Sequence, residues 1–156
     1  MGAELEMAAK VQQALLPRAL PAVPGLDYAG VCRPAQGVSG DYYDFLALGN
    51  GKLGLLLADV SGKGMPAALL GASLHAAVRA HAGGEGIACG EVISRASRLL
   101  YETSEANRFA TVFYGVYDPA TRLLTYANAG HNSPHADASR SLPPAQKPHV
   151  AGRYAG

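Results

Sequence analysis

The chain has 156 residues and a formal net charge of +1, with 49% apolar and 16% charged residues. This length suits one domain with a real core, and the composition is globular rather than disordered. The near-neutral charge, without a block of like charges, argues against nucleic acid and anionic membranes as partners. Cys32 and Cys89 lack metal-binding spacing, which predicts two reduced thiols. We find neither a signal peptide nor an apolar stretch of the ~20 residues that span a bilayer, so we expect a cytoplasmic protein.

The first sixteen residues are predicted to form a helix that stops before Pro17. Its apolar face consists of four residues at helical spacing, Leu5, Ala8, Val11 and Leu15. A helix this short is marginal alone. We therefore expect residues 1–17 to be a linker helix that packs on the following domain or continues an upstream helix. Residues 17–25 are rich in proline and are predicted to be an extended connector.

A β-hairpin is predicted next. Its strands, Val38–Leu48 and Lys52–Val60, flank a strong turn signal in Gly49–Gly51. The second strand is apolar throughout Leu53–Ala58, which predicts that both of its faces are covered.

Two helices and a second hairpin should follow. The helices are predicted from Pro66 to about Ala82 and from about Glu91 to Ser104. The hairpin joins Phe109–Tyr117 to Leu123–Ala129 through a turn at residues 118–121. This order predicts the α+β class, with sheet strands contributed from both ends of the chain.

Asp41 and Asp59 lie on the two strands of the first hairpin, and the strand register decides what they can do. If the loop has an odd length centred on Asn50, Asp41 faces Asp59 directly, with Cβ atoms ~5 Å apart. If Asn50 and Gly51 form a two-residue turn, the two carboxylates point to opposite faces of the sheet.

A facing pair of carboxylates is unfavourable, because the two charges repel each other and are costly to desolvate. A divalent cation removes that cost, and carboxylate oxygens suit Mg²⁺ or Mn²⁺. The facing register therefore favours a metal site, in which two ions ~3.5–4 Å apart would activate a bridging water for attack on phosphorus. The alternative is that Asp41 is a strand-edge residue and Asp59 a helix-capping acid.

The turn Ser61–Gly64 after Asp59 matches a Walker phosphate loop poorly, because that loop needs Ser or Thr after the lysine. Its glycines are predicted instead to turn the chain sharply into the helix at Pro66. The Val60 carbonyl would then lie beside the Asp59 carboxylate and join a metal shell. Lys63 is either a solvated turn residue or a point charge for a substrate phosphate.

The remaining polar candidates have plainer interpretations. Asp44 is expected to be solvated on the other side of its strand, and His75 and His81 to be surface or partly packed residues. His131 is either a general acid or a partner in a structural hydrogen bond. The aromatic residues expected in the core are Tyr42, Tyr43, Phe45, Phe109, Phe113 and Tyr114.

Four motifs in this order resemble the SpoIIE/RsbU-like branch of the PPM (protein phosphatase 2C-like) serine/threonine phosphatases. They are Gly40–Asp44 (GDYYD), Ala58–Ala68 (ADVSGKGMPAA), Phe109–Thr111 (FAT) and Ala129–Asn132 (AGHN). The opening Val11–Pro17 (VQQALLP) matches the helix that leads into such domains. The resemblance covers roughly residues 4–135.

The resemblance implies an α-β-β-α sandwich, with a central pair of β-sheets flanked by helices. It implies two Mn²⁺ or Mg²⁺ ions and hydrolysis of phosphoserine or phosphothreonine on a partner protein, typically an anti-sigma-factor antagonist in bacterial signalling. By position, Asp41 and Asp59 carry over as catalytic metal ligands, with Asp59 bridging both ions and Val60 offering its carbonyl. The nucleophile would be metal-bound water, without a covalent intermediate.

The sequence departs from the family after the Ala129–Asn132 motif. Family members continue with strands and a helix that supply two more metal-binding aspartates, in an Asp-Gly and an Asp-Asp motif, and neither motif is present here. Asp137 is the only acid after Asp118, and its context is unsuitable. We therefore expect a partial phosphatase domain over residues 18–135, incomplete at the C-terminus, and an unstructured or non-homologous tail over residues 136–156.

This departure has two expected consequences. One metal would keep Asp41, Asp59 and the Val60 carbonyl, whereas the other would lose most of its protein ligands, so the phosphatase activity should be impaired. The missing strands would leave open sheet edges, which predicts lowered stability or homodimerisation. The alternative is a catalytically inactive domain that acts as a partner-binding or regulatory module.

Overall fold

The computed structural model describes residues 2–33, 37–103 and 108–134, together with the backbone of 149–154. The helices and strands in these ranges are α1 (Gly2–Leu15), β1 (Asp41–Ala47), β2 (Leu53–Val60), α2 (Met65–Ala82), α3 (Cys89–Thr103), β3 (Ala110–Asp118), β4 (Leu123–Ala129) and β5 (His149–Tyr154). The predicted helices and hairpins are all present, with ends within a few residues of the predicted ones. The α+β class is therefore confirmed.

The strands form one sheet in the order β1-β2-β3-β4-β5. β1 to β4 are antiparallel neighbours, whereas β5 adds to β4 in parallel. β5 lies in the segment that was expected to be a tail without regular structure; it satisfies backbone groups that the edge of β4 would otherwise expose. The remainder of that segment, residues 136–148 and 155–156, lies outside the described residues. The second sheet implied by the resemblance is not found within the described ranges.

Helices α2 and α3 cover one face of the sheet, here called the inner face. Alternate residues of β2 point to this face because side chains alternate along a strand. The main core contains Leu56 and Val60 of β2, Leu74 and Val78 of α2, Val92 and Ile93 of α3, and Val112 and Tyr114 of β3. None of the helices in the described ranges has both the length and the apolar character needed to cross a membrane.

The opposite, outer face of the sheet is covered only in part. Val23, from the connector after α1, packs with Leu53 and Tyr117 at the start of β2 and the end of β3. Farther along β2, Leu57 is 44% exposed. The prediction that β2 is covered on both faces is therefore correct near Leu53 and wrong toward Asp59, where the outer face is open.

The linker helix α1 forms as predicted, but it does not bury the predicted apolar face. Leu5 is 37% exposed and Val11 is 58% exposed. Gln12 is the one residue of α1 that is buried. The physical reason is that the Gln12 side-chain amide forms hydrogen bonds with Ser39 and Tyr42, which fix the helix orientation more specifically than Leu5 and Val11 can.

Gly71 provides a stability test of the contact between α2 and β1. A Cβ at residue 71 would lie 2.4 Å from the Tyr42 ring, which is 3% exposed and donates a hydrogen bond from its hydroxyl to the Ala68 carbonyl. We expect Gly71→Ala to lower the free energy of unfolding by about 1–3 kcal/mol through overpacking. Urea denaturation measures this. Gly90→Ala in α3, where nothing lies within 4 Å, is the matched control and should be neutral or stabilising. Equal effects of the two substitutions would contradict this packing account.

Candidate metal site

Asp41 and Asp59 face each other at the end of the first hairpin that lies away from its loop. The β1–β2 pairing places Asp41 directly opposite Asp59. The loop sets this register: Asn50 adopts the left-handed conformation with φ 59°, and the Leu48 amide donates to the Lys52 carbonyl over 2.9 Å. The odd-length register is therefore confirmed, and the two-residue turn is excluded.

The two carboxylates interact unfavourably although both residues are exposed. Burial raises the pKa of Asp59, the charge of Asp41 and a hydrogen bond with its carboxyl group raise that pKa further, and nearby His131 lowers it. Because the ionised form of Asp59 is disfavoured by a like charge, a cation between the two groups would stabilise both.

The Val60 carbonyl oxygen lies next to Gly40, the residue before Asp41. The Val60 amide donates to the Gly40 carbonyl over 3.2 Å, and a Cβ on residue 40 would lie 2.5 Å from the Val60 oxygen. Because that separation is too short for a real Cβ, only glycine at residue 40 allows the two backbones to approach this closely. Two carboxylates and a carbonyl form a hard-oxygen donor set, and Mg²⁺ commonly keeps several waters besides such protein ligands. Asp41, Asp59 and Val60 thus fit one divalent cation, and their role as metal ligands stays a prediction.

A second cation would find fewer ligands. Across residues 2–33, 37–103 and 108–134, no group of three or more Asp, Glu, His or Cys side chains converges to hold a metal. Asp137, the only acid after Asp118 and an unsuitable metal ligand by its sequence context, lies outside the described residues. The described part of the chain therefore fits one cation rather than a complete two-metal centre.

Sequence reasoning missed a polar group beside Asp59. The β2–β3 pairing places Thr111 next to Asp59, and Thr111 Oγ1 lies 3.0 Å from His131 Nδ1. Asn128 holds the backbone of His131 at both ends: its Oδ1 accepts from the His131 amide over 2.8 Å, and its Nδ2 donates to the His131 carbonyl over 2.9 Å. The hydrogen bond considered for His131 is therefore present, and the role of this residue as a general acid stays a prediction.

Asp44, which was expected to be solvated, is 0% exposed. It does lie on the opposite face of β1 from Asp41, but α2 covers that face. Asp44 Oδ2 lies 2.8 Å from His75 Nε2 and accepts from Arg79 Nε over 2.5 Å, while Oδ1 accepts from Arg79 Nη2 over 3.0 Å. Burial by itself raises the pKa of Asp44, but hydrogen bonds from His75 and Arg79 outweigh burial, so the pKa is lowered.

His75, which was expected at the surface or partly packed, is also buried. His75 and Arg79 are four residues apart, so they share one face of α2. This i, i+4 spacing, together with the alternation along β1, was the available signal for the buried group.

The Ser61–Gly64 turn has the structural role that was predicted. Gly62 has φ 96° and Gly64 has φ 74°, values that glycine adopts without strain. Ser61 ties this turn to Phe109: its amide donates to the Phe109 carbonyl over 2.8 Å, and its hydroxyl accepts from the Phe109 amide over 3.0 Å. The Phe109 side chain is 66% exposed, so its assignment to the core is wrong.

Comparisons with known proteins identify relatives of this chain. Residues 49–141 match the family model for Stage II sporulation protein E (SpoIIE). The chain is 37% identical over 128 residues to phosphoserine phosphatase RsbU of Bacillus subtilis (strain 168), a match that covers 82% of this chain and 38% of RsbU. It is 27% identical over 132 residues to phosphoserine phosphatase RsbP of the same organism, a match that covers 82% of this chain and 32% of RsbP. The chain therefore spans less than half the length of these relatives.

Two solved structures resemble the fold. The RsbU and RsbW domains of Rv1364c from Mycobacterium tuberculosis align with a TM-score of 0.54 and 28% identity, over 74% of this chain and 28% of that one. The SiaA-PP2C domain of Pseudomonas aeruginosa aligns with a TM-score of 0.67 and 22% identity, over 81% of this chain and 52% of that one. At this level of identity the likeness shows the fold alone. The family match over residues 49–141 and the 37% identity to RsbU show that the chain belongs to the SpoIIE family, within the RsbU-like branch of the PPM-type phosphatases.

Proposed function

We propose that this chain takes part in the metal-dependent hydrolysis of phosphoserine or phosphothreonine on a partner protein. The observation that carries this proposal is the facing pair of Asp41 and Asp59 beside the Val60 carbonyl. Like charges directly opposite each other destabilise a sheet, so the arrangement makes physical sense as a cation site. The similarity to the phosphoserine phosphatases RsbU and RsbP supports the class of reaction.

The residues around the pair have distinct proposed roles. Asp41, Asp59 and the Val60 carbonyl would hold Mn²⁺ or Mg²⁺. When bound, such a cation supplies positive charge that lowers the pKa of water and offsets the charge of a phosphate group. Thr111 and the loop held by Asn128 orient the His131 ring near Asp59, where a protonated imidazole would give its proton to the departing seryl or threonyl oxygen and so release it as a hydroxyl group. Because the outer face is open at this end of the sheet, a phosphorylated loop of a partner can approach the site.

A phosphorylated anti-sigma-factor antagonist is the proposed substrate. One of the similar structures contains both an RsbU and an RsbW domain, which supports a regulatory protein as the partner. Impaired turnover and homodimerisation through sheet edges stay predictions for this chain.

Mn²⁺ titration calorimetry and hydrolysis of p-nitrophenyl phosphate and a phosphoserine peptide test the proposal. We expect Mn²⁺-dependent turnover by the parent chain and turnover lower by roughly a hundredfold or more in Asp41→Asn. Replacing a residue that only supports a metal ligand already lowers metal affinity or activity by up to about a hundredfold, and Asp41 is proposed as a ligand itself. Glu85→Gln removes one exposed negative charge away from the site and should behave as the parent does. Equal turnover by the parent and Asp41→Asn would contradict the proposed site.

The alternative is an inactive domain that acts as a partner-binding or regulatory module. The observation that favours it is the lack, within the described residues, of a third acid near Asp41 and Asp59. A folded parent chain that binds no Mn²⁺ and hydrolyses neither substrate would support this alternative.

A further inference from the structure

We propose that Gln12 is a positioning residue for Asp41, acting from the linker helix α1 through Ser39. This inference rests on the proposed function, because it gives Asp41 the role of a metal ligand. Gln12 is 8% exposed, and within α1 it is the one buried residue. A buried amide in a helix whose apolar residues are largely exposed points to a specific polar contact rather than to general packing.

The first link joins Gln12 to the backbone of Ser39. Gln12 Nε2 donates to the Ser39 carbonyl over 2.6 Å, and Gln12 Oε1 accepts from the Ser39 amide over 2.9 Å. One side chain therefore satisfies both backbone groups of Ser39 and fixes the orientation of that residue. Gln12 Nε2 also donates to the Tyr42 hydroxyl over 3.1 Å, a contact that does not involve Ser39.

The second link joins Ser39 to Asp41. The Ser39 hydroxyl donates to Asp41 Oδ2 over 3.1 Å and accepts from the Asp41 amide over 3.0 Å. A hydroxyl has one hydrogen and two lone pairs, so a single Ser39 side chain can make both bonds at once. It thereby fixes the Asp41 carboxylate relative to its own backbone, at the start of β1.

The two links together make the direction of the Asp41 carboxylate depend on the docking of α1. Groups that hold a metal ligand in place contribute to metal affinity although they do not touch the ion. Gln12 holds the Ser39 backbone, and the hydroxyl carried by that backbone holds the carboxylate that faces Asp59.

Mn²⁺ calorimetry on single and double variants tests this arrangement. We expect roughly tenfold weaker Mn²⁺ binding in Gln12→Ala and in Ser39→Ala. The double variant should bind about as weakly as Ser39→Ala alone, because Gln12 acts through Ser39. Tyr42→Phe removes the other Gln12 contact and should leave Mn²⁺ affinity within about twofold of the parent, whatever it does to stability. Additive losses, or equal losses in Gln12→Ala and Tyr42→Phe, would overturn the proposal.

A second measurement needs no metal. In metal-free protein, hydrogen exchange at the Asp41 amide followed by NMR should quicken in Gln12→Ala and Ser39→Ala but not in Tyr42→Phe, because that amide donates to the Ser39 hydroxyl. An unchanged Asp41 exchange rate in Gln12→Ala overturns the positioning role. If the parent chain binds no Mn²⁺, the proposed function fails, and the Asp41 exchange rate alone then decides whether Gln12 positions Asp41.

Discussion

Asp59→Asn is expected to raise the stability of the metal-free chain while abolishing its stabilisation by Mn²⁺. The substitution removes the repulsion between directly opposed like charges, which is worth about 0.2–1 kcal/mol across a strand pair. For a chain of this size, that corresponds to a rise of about 0.4–4 °C in Tm. The parent should instead gain about 2.7 kcal/mol from Mn²⁺ at a hundred times its Kd, a gain that the variant should lose.

Differential scanning calorimetry with a chelator and with Mn²⁺ measures both effects. Glu85→Gln removes an exposed charge elsewhere in the chain. It should change neither the metal-free stability nor the stabilisation by Mn²⁺ by more than a few tenths of a kcal/mol. A variant that is destabilised without metal, or still stabilised by Mn²⁺, would show that Asp59 is not held at an electrostatic cost for a cation.

The stability gain in Asp59→Asn should also depend on pH with a defined sign. The pKa of Asp59 is raised in the folded chain, so the folded state binds this proton more tightly than the unfolded state does. The resulting contribution favours folding below the unfolded pKa of about 3.9 and is lost as the pH rises through the folded pKa. The metal-free difference between variant and parent should therefore be largest near pH 7 and shrink toward pH 4.

Asp44→Ala is expected to cause a larger loss of stability than any substitution at the candidate metal site. The Asp44 carboxylate is fully buried and neutralises Arg79 while accepting a hydrogen bond from the Phe45 amide over 2.8 Å. Removing one partner of a buried ion pair costs about 3–5 kcal/mol. Since the Arg79 side chain is half exposed and can turn toward water, we expect a value near the lower limit, about 3 kcal/mol.

Urea denaturation measures this loss, and an exposed ion pair provides the control. Glu91→Ala breaks the i, i+4 pair with Arg95 on α3 and should cost about 0.5 kcal/mol.

Because the pKa of Asp44 is lowered on folding, its contribution to the free energy of unfolding is present above the unfolded pKa of about 3.9 and is lost as the pH falls through the folded pKa. The free energy of unfolding should therefore differ between Asp44→Ala and the parent by its largest amount at pH 7, and by less at strongly acidic pH. A loss no larger than that of Glu91→Ala would contradict the role given to the buried pair.

The sequence was sufficient to predict local features of the fold. The helix periodicities, the turn signals and the possible facing of Asp41 and Asp59 all depend on residues close together in the chain. The register itself was decided by the left-handed Asn50, which the sequence allowed but did not require. The four motifs then identified the family because their order is specific.

The errors arose where distant segments meet. Asp44 was predicted to be solvated, but its environment depends on how α2 packs over β1, which local patterns do not show. Val11 was predicted to lie on a buried apolar face, but the orientation of α1 depends on the partners of Gln12, which lie on another segment. Thr111 could be placed beside Asp59 only once the β2–β3 register was known. The pairing of β5 with β4 is likewise a contact between segments that local patterns do not specify.

The connectivity of the sheet has a consequence for how the chain folds. Asp41 and Asp59 come together when the β1–β2 hairpin closes its short loop, which takes about 1–10 µs in isolated hairpins. Thr111 reaches Asp59 only when β2 pairs with β3, which closes the much longer segment 61–109 that contains α2 and α3. Longer closures carry a greater entropy cost and slow folding. We therefore expect the acidic pair to form early in folding and the Thr111–His131 pair to form later, so that a cation could bind a partly folded chain before the site is complete.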